Sequence, residues 1–463
     1  LSLKEFNSYL PWTVSRVNRI PKPLWELLFA DFKVQEVFNT KVTNLMVFLY
    51  TKHFGNCDPC CPKTQREIFS WFSVTGRSIY NLDQLESILN KTPQAVKNEK
   101  AHGFNLIGYN RGRLGLGEDL RGFINVFELL NIPFSVYSIG HSSDAPKDYM
   151  HVNEDYSLPF DHSIFCMNVI ELSKLIHCYD GDLSPFAYCI AASPWELPKA
   201  PEKWGETLSH FQEIWAISRF VEKSYKDAFE DKIKIKYVAP VASMPNASPI
   251  QNVKRQSRPF TFLFIFDAKS YLKRKNPEAI AKAFLKAFNG NEQVRLVIKS
   301  TSEGSGSDWH SLIKLAQSDS RIMLKVGSIS EGEMAQFWKN CDCYVSLHRS
   351  EGFGRTLIEA VARKIPVIAT GWSGSTDIIA ETNPLAVEYS LNQLDSSDYP
   401  EGSGQCWAEP LENSAVQKLR WVYENRHSNE IANIVRDNYT NFQKNFSVTA
   451  EKRNQILQSY LKI

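Results

Sequence analysis

The segment "SLHRSEGFGRTLIEA", Ser346 to Ala360, concentrates residues that can do chemistry. Glu351 and Glu359 stand eight positions apart, with Arg349 before the first and Gly352, Phe353 and Gly354 after it. The apolar run "CYVSLH" leads into the segment and the amphipathic run "GRTLIEAVARK" leads out of it. Strand, loop and helix is the natural reading, with Arg349 and Glu351 at the carboxyl end of the strand. Gly352 and Gly354 permit a sharp turn and a close approach of backbone to a ligand. The helix starts near Arg355, where free N–H groups form an anion site. Glu359 then lies about one turn in, as an acceptor for hydroxyl groups. Phosphate and hydroxyls on one ligand would use both features. Taken alone, acidic residues near a helix start are explained as well by the macrodipole.

Other segments carry comparable groups. "FDAKSYLKRKN" places three lysines and one arginine within Lys269 to Lys275, between an apolar run and a helical one. Cations there can neutralise a phosphate leaving group; a solvated basic loop is the plainer alternative. "RGRLGLGEDLR" is a glycine-rich loop in which Gly115 and Gly117 offer close backbone approach and Arg113 or Arg121 a phosphate contact. "GWSGSTDII" offers backbone donors at Gly374, Ser375 and Thr376, or simply a helix cap. In "SPWELP", Trp195 can stack on a sugar and Glu196 can bind an acceptor, unless Trp195 packs inward. Asp180 and Asp182 in "DGD" fit a divalent cation or a turn. Cys57, Cys60 and Cys61 form C-x2-C-C, but no second ligand pair lies nearby apart from His53.

Elements must position these groups. Residues 1–100 read as a small helical region, from "PKPLWELLFADF", "TQREIFSWFSV" and "NLDQLESILNK". From Gly103 the texture changes to strand, glycine loop, helix and strand, and the strand theme repeats in "HSIFCMNV", "FAYCIAAS" and "EIWAISRF". "PVASMPNASPIQNVKRQSRP", with four prolines and no period, reads as a linker. Strict strand–helix alternation then runs from "FTFLFIFD" to "PVIAT", the sign of a parallel sheet. The expected architecture is α/β: a first doubly wound domain at 101–245, a second at 246–440, and a closing helix at 441–463 packing back on the first. Ligands of such sheets bind beyond the carboxyl ends of the strands, here between the domains.

"RSEGFGRTLIEAVARKIPVIAT" resembles the E-x7-E region of retaining, family-4 type glycosyltransferases with the GT-B fold. "FDAKSYLKRKNPEAIAKAF", "YVSLHRSEGFG", "GWSGSTDII" and "WAEPLENSAVQKLRWVYEN" resemble bacterial polysaccharide and O-antigen enzymes of that type, over most of residues 103–463. The resemblance implies two Rossmann-like domains facing a cleft. Glu351 would face the donor sugar, Glu359 would hold the ribose and Lys275 would bind phosphate. The family's partner arginine falls where this chain has Lys269 and Ser270, so Arg274 or Lys269 would supply the second cation. Arg349, Gly352, Phe353, Gly354, Gly374 and Ser375 would complete the donor site. Gly115, Gly117, Arg121, Trp195 and Glu196 would serve phosphate and acceptor. No cofactor and no metal are expected; a nucleotide sugar is the substrate and a glycan, free or lipid-linked, the acceptor. A hexosyltransferase of lipopolysaccharide or O-antigen synthesis is the implied activity. A nucleotide-sugar epimerase, another GT-B enzyme or a silent glycan-binding module are the alternatives.

The totals agree with this outline. The chain has 463 residues, room for two or three domains, with an ordinary apolar share of 43%. The net charge of +2, without a clustered basic face, gives no reason to expect nucleic acid. No stretch reaches the length of a membrane span. The nine cysteines are an odd number, scattered from Cys57 to Cys406 with several, such as Cys166, Cys189, Cys341 and Cys343, in apolar runs, as in a reducing cytoplasm. The expected location is cytoplasmic or peripheral at the inner face of the membrane. A start at Leu1 suggests further domains of a longer polypeptide.

Overall fold

The computed structural model describes residues 44–55, 62–72, 100–112, 114–139, 154–155, 157–178, 181–242, 258–290 and 292–461. Within the expected helical region it gives α1 (Asn44–Phe54) and α2 (Pro62–Trp71), joined by an edge-on contact of Tyr50 with Trp71 at 5.5 Å. Cys57, Cys60, Cys61, Arg113, Asp180 and the expected boundary at 245 lie outside the described residues.

The first sheet is built from β1 (Ala101–Gly108), β2 (Phe134–Ser138), β3 (Phe160–Cys166), β4 (Tyr188–Ala191), β5 (Glu213–Ala216) and β6 (Lys234–Tyr237). Its order is β2-β1-β3-β4-β5-β6 and every pairing is parallel. The connecting helices are α3 (Gly115–Leu130), α4 (Val169–Cys178), α5 (Trp204–Leu208) and α6 (Arg219–Phe229). α6 starts at Ser218, whose hydroxyl accepts from the Val221 N–H, so "EIWAISRF" is half strand and half helix entry.

The second domain alternates β7 (Phe260–Phe266), the one-turn α7 (Leu272–Lys275), α8 (Pro277–Ala287), β8 (Val294–Ser300), α9 (Gly306–Ser318), β9 (Ile322–Val326), α10 (Glu331–Asn340), β10 (Cys343–Ser346), α11 (Arg355–Ala362), β11 (Val367–Thr370) and β12 (Ala386–Val387). The sheet order is β12-β11-β10-β7-β8-β9, again parallel. Because helices cover both faces, β7 reads as an unbroken apolar run, buried from Thr261 to Phe266. A hairpin of β13 (Tyr389–Gln393) and β14 (Cys406–Pro410) follows; nothing in the sequence pattern announced it.

Helices α12 (Glu412–Glu424), α13 (Asn429–Asn445) and α14 (Glu451–Ser459) close the chain. The expected boundary at 440 falls inside α13, which runs unbroken to Asn445. Leu457 and Tyr460 of the terminal segment lie in the core of the first domain with Phe104, Phe127 and Trp215. The buried Glu213 carboxylate receives Tyr460, Trp215 Nε1 at 3.0 Å and Lys234 at 2.6 Å, which ties that segment to β5. Two six-stranded parallel sheets, each with helices, make the GT-B arrangement.

Candidate functional site

β7 has β8 on one side and β10 on the other, so the winding of the second sheet reverses between β7 and β10. Such a switch point opens a crevice beyond the carboxyl ends of the two strands. Two loops leave it, Asp267 to Lys275 and Leu347 to Gly354, and they carry most of the residues singled out by sequence.

Glu351 is 8% exposed and both of its carboxylate oxygens are held by cations. Lys275 Nζ donates to Oε1 at 2.5 Å and Arg274 Nη1 to Oε2 at 3.1 Å. Burial alone would raise this carboxyl; the charges of Lys275 and Arg274 outweigh it and bring it down to about 2. Burial also lowers Lys275, but its short contact with an ionised Glu351 fixes the pair as ammonium and carboxylate. Arg274 is held from two further directions, by Ser350 O at 2.8 Å and Ser270 Oγ at 2.9 Å. Its Nε is buried without a partner among the described residues. Of the two cations weighed as the second phosphate ligand, Arg274 therefore reaches Glu351. The Lys269 side chain stands exposed, and its backbone N–H rests on Asp267 Oδ1 at 3.1 Å.

Behind Glu351 the backbone is locked. Its N–H donates to Ser373 Oγ at 2.9 Å, and its carbonyl accepts from the Gly374 N–H at 2.8 Å. A Cβ on Gly374 would lie 2.0 Å from the Gly352 carbonyl oxygen, so only glycine fits this contact. Hence the Gly374 N–H is spent on Glu351 and is not a free donor for a ligand, contrary to the sequence expectation. Gly354, at φ 103°, makes the left-handed turn into α11. His348 is fully buried between Ser346 Oγ at 3.0 Å and Ser375 Oγ at 2.8 Å. Burial pushes it down to about 4, with Lys275 and Arg274 adding to this against the pull of Glu351, so the ring is neutral at pH 7.

Several expected ligand contacts are internal instead. Arg349 forms a two-pronged pair with Glu409 of β14, at 2.5 and 3.0 Å, and donates to Lys273 O at 2.6 Å. It pins the hairpin to α7. Phe353 is buried against Phe446, ring centroids 5.4 Å apart. Gly115 and Gly117 sit in the first turn of α3, not in a loop. Gly115 faces open space, while a Cβ on Gly117 would meet Gly112 O at 2.2 Å. Arg121 donates to Asn110 O at 2.6 Å, Gly112 O at 3.1 Å and Glu118 at 2.6 Å. Through Asn110 and Gly112 it braces the preceding loop. Trp195 is 5% exposed, packed on Trp204 with centroids 4.6 Å apart and donating to Lys199 O. It is a core side chain, not a sugar platform. Asp182 Oδ1 caps the Ser184 N–H at 2.9 Å in a turn. Among the described residues no group of three His, Cys, Asp or Glu could hold a metal ion.

The two domains meet across these loops. The Ser350 hydroxyl donates to Glu196 O, and a Cβ on Gly352 would sit 2.8 Å from Trp195 O. Tyr399, on the connection between β13 and β14, donates its hydroxyl to Glu196 Oε2 at 3.0 Å. Arg355 pairs with Asp119 of α3 and donates to Val241 O at 2.7 Å. Glu359, on the same helix, keeps a third of its side chain exposed, with Arg363 at 4.0 Å. Burial raises it to about 7; Arg363 opposes this and Glu118 of the first domain adds to it. Sequence reasoning gave no role to Ser373, His348, Arg355, Asp119 or Tyr399. Only contacts far apart in the chain reveal them, and no local signal marks them. A cavity of about 330 Å³ lies on the other face of α7, lined by Leu272, Lys273, Asp398 and Trp407 among others. Glu351, Arg274 and Lys275 are not among its lining residues, and most of its charged walls are ion-paired.

Residues 251–394 match the family described as glycosyl transferases group 1. Over 124 residues the chain is 31% identical to alpha-monoglucosyldiacylglycerol synthase of Streptococcus pneumoniae. That stretch is 26% of this chain and 27% of that protein, so the chain spans about a quarter of the curated relative it matches. Among solved structures, sucrose-phosphate synthase of Thermosynechococcus elongatus is similar, with a TM-score of 0.55 and 13% identity over 78% of this chain and 99% of that one. Anabaena HepE, solved with UDP and glucose, gives a TM-score of 0.50 and 12% identity over 78% of this chain and 100% of that one. These likenesses show the fold.

Proposed function

We propose that this chain is a retaining glycosyltransferase that moves a hexosyl group from a nucleotide sugar to a bacterial surface glycan or lipid-linked glycan. The observation that carries the proposal is the ionised Glu351 held between Lys275 and Arg274 at the switch point of the second sheet. The match of residues 251–394 to group 1 glycosyl transferases supports it, because that stretch contains all three residues.

Cleaving a sugar–phosphate bond leaves negative charge on the diphosphate and positive charge on the sugar. On our reading Lys275, with Arg274 behind it, neutralises the departing diphosphate, aided by the amino end of α11. Glu351 then exchanges its contact with Lys275 for hydroxyls of the donor sugar and orients that ring. Glu359 takes ribose hydroxyls. Attack from the face the phosphate leaves accounts for retention, and the closed domains keep out water that would hydrolyse the donor. No metal is needed in this scheme, since two cationic side chains do the neutralising. The relative named as a synthase of alpha-monoglucosyldiacylglycerol supports an acceptor at a membrane surface. No described helix is long and apolar enough to cross a membrane, and we place the enzyme in the cytoplasm or at the membrane's inner face, with room for further domains.

Thermal melting with a panel of nucleotides and nucleotide sugars tests the first half, and NMR of the anomeric proton of the product tests retention. No shift with any nucleotide refutes the proposal; an inverted product refutes the mechanism and leaves the transferase.

A further inference from the structure

Sequence pointed to Trp195 as the sugar-stacking ring, and the structure buries it. The exposed ring of this aromatic group, reached from Trp195 through Tyr399, is Tyr271, 46% accessible, at the end of the loop that leads from β7 into α7. Its backbone is held at φ 60°, ψ 91°, an outlier for a bulky residue. A glycine would make this turn with less strain. What a tyrosine adds is its ring. Strain of this kind is a reason to look for function.

One side of the ring is accounted for. It lies against Tyr399, centroids 4.6 Å apart and planes at 60°. Tyr399 in turn is fixed: its hydroxyl donates to Glu196 Oε2 at 3.0 Å, and the Arg274 guanidinium stands 5.8 Å from its ring. Tyr271 is thus joined to Glu351 through Tyr399 and Arg274, and to the first domain through Tyr399 and Glu196. Among the described residues Glu196 Oε1 accepts no hydrogen bond. An open aromatic face and a spare carboxylate oxygen, linked by one rigid tyrosine, are the two things a pyranose needs: a surface for its C–H face and an acceptor for a hydroxyl.

We propose that Tyr271 and Glu196 form a saccharide subsite at the edge of the interdomain cleft, taking a neutral pyranose of the acceptor glycan. The assignment of that sugar to the acceptor rests on the glycosyltransferase reading above. The cavity beyond α7 is a weaker candidate, because most of its charged walls are already paired, Lys273 with Asp398, Arg349 with Glu409 and Glu278 with Lys282.

Saturation-transfer difference NMR on the full chain tests the subsite. The probes are methyl α-glucopyranoside, methyl α-galactopyranoside and methyl N-acetyl-α-glucosaminide, each with a parallel UDP titration. At least one glycoside is expected to receive saturation, strongest on its ring protons. Tyr271→Ala and Tyr271→Gly are expected to weaken it roughly three- to ten-fold, as for loss of one aromatic contact. Tyr271→Phe is expected to retain it, and Glu196→Gln to reduce it with the stacking signal intact. The same dissociation constants in Tyr271→Ala as in the parent, or no saturation of any glycoside by the parent, overturns the subsite. The UDP titration separates the two ideas. UDP binding without glycoside binding removes the subsite and leaves the transferase. Glycoside binding without binding of any nucleotide of the melting panel removes the transferase and leaves a saccharide site. A UDP affinity unchanged in Tyr271→Ala shows that the variant is folded.

Discussion

Replacing Glu351 by glutamine removes one negative charge from between the buried Arg274 and the half-buried Lys275 and alters little else. The carboxyl is held at about 2 against an ordinary value of 4.5, a difference of about 2.5 units. At 1.36 kcal/mol per unit this amounts to about 3 kcal/mol of folding stability at neutral pH. Breaking a buried pair by removing one partner costs a similar 3–5 kcal/mol, roughly, by an independent route. The sign follows from the depressed value. The contribution is complete above the unfolded carboxyl's range and is lost as pH falls toward the folded value. The parent is therefore expected to exceed Glu351→Gln by about 3 kcal/mol at pH 7 and by about 2 kcal/mol at pH 3.5. Urea unfolding followed by tryptophan fluorescence at the two pH values measures both gaps, with Glu401→Gln as an exposed-residue control. A gap at pH 7 below about 1 kcal/mol, or one that does not narrow on acidification, refutes the ion-pair account of Glu351.

Three other perturbations have expected outcomes. Lys275→Ala is expected to lower sugar transfer roughly 100-fold or more, the usual effect of removing one preorganised charge-stabilising donor; initial rates on the donor found in the nucleotide panel measure it. Gly374→Ala forces a methyl group to 2.0 Å from the Gly352 carbonyl, and a melting temperature several degrees below that of Gly290→Ala, where nothing lies within 4 Å, is the expected reading. Gly290 has positive φ, at 105°, and Gly374 does not, so the control carries backbone strain without a clash and Gly374 the clash without that strain. Glu359→Gln is expected to melt higher than the parent at pH 8, with the difference shrinking toward pH 5. The folded carboxyl is raised to about 7, so the parent loses stability as pH climbs from the unfolded value through 7.

Much of the second domain was legible because parallel strands buried on both faces leave unmistakable apolar runs, such as "FTFLFIFD". The first domain was less so. Gly115 and Gly117 suggested a loop by composition, yet the chain is already helical at Gly115, with Gly117 drawn against Gly112 O. Glycine permits many backbones and specifies none. Within the candidate site, residues close in sequence were found together: Arg274 with Lys275, Glu351 with Gly352 and Gly354. Their partners were not. Tyr399 and Ser373 reach the site from elements 48 and 22 residues beyond Glu351, the first by way of the connection in an unforeseen hairpin. Trp195 and Arg121 failed for one shared reason: type and spacing do not say whether a side chain turns outward, and both turn into their own domain.

The charges at the switch point are unbalanced in one direction. Arg274 and Lys275 bring two positive charges to a buried place where Glu351 brings one negative. His348 cannot correct this, since it is neutral and a proton on it would add a third cation. Arg274 Nε still lacks a partner. Isolated buried charge is costly, and the fold holds it by spreading carbonyl and hydroxyl acceptors from Ser350 and Ser270 around the guanidinium. The Glu196 carboxylate acts on both cations from a distance but contacts neither among the described residues, so a second anion in direct contact is what this arrangement lacks. A sugar alone would not supply it, and a bare phosphate would leave the Glu351 carboxylate without hydroxyls once Lys275 turned away. A ligand with phosphate at one end and a sugar at the other satisfies the cations and the carboxylate together, which is why the buried triad, more than any single motif residue, favours a nucleotide-sugar donor.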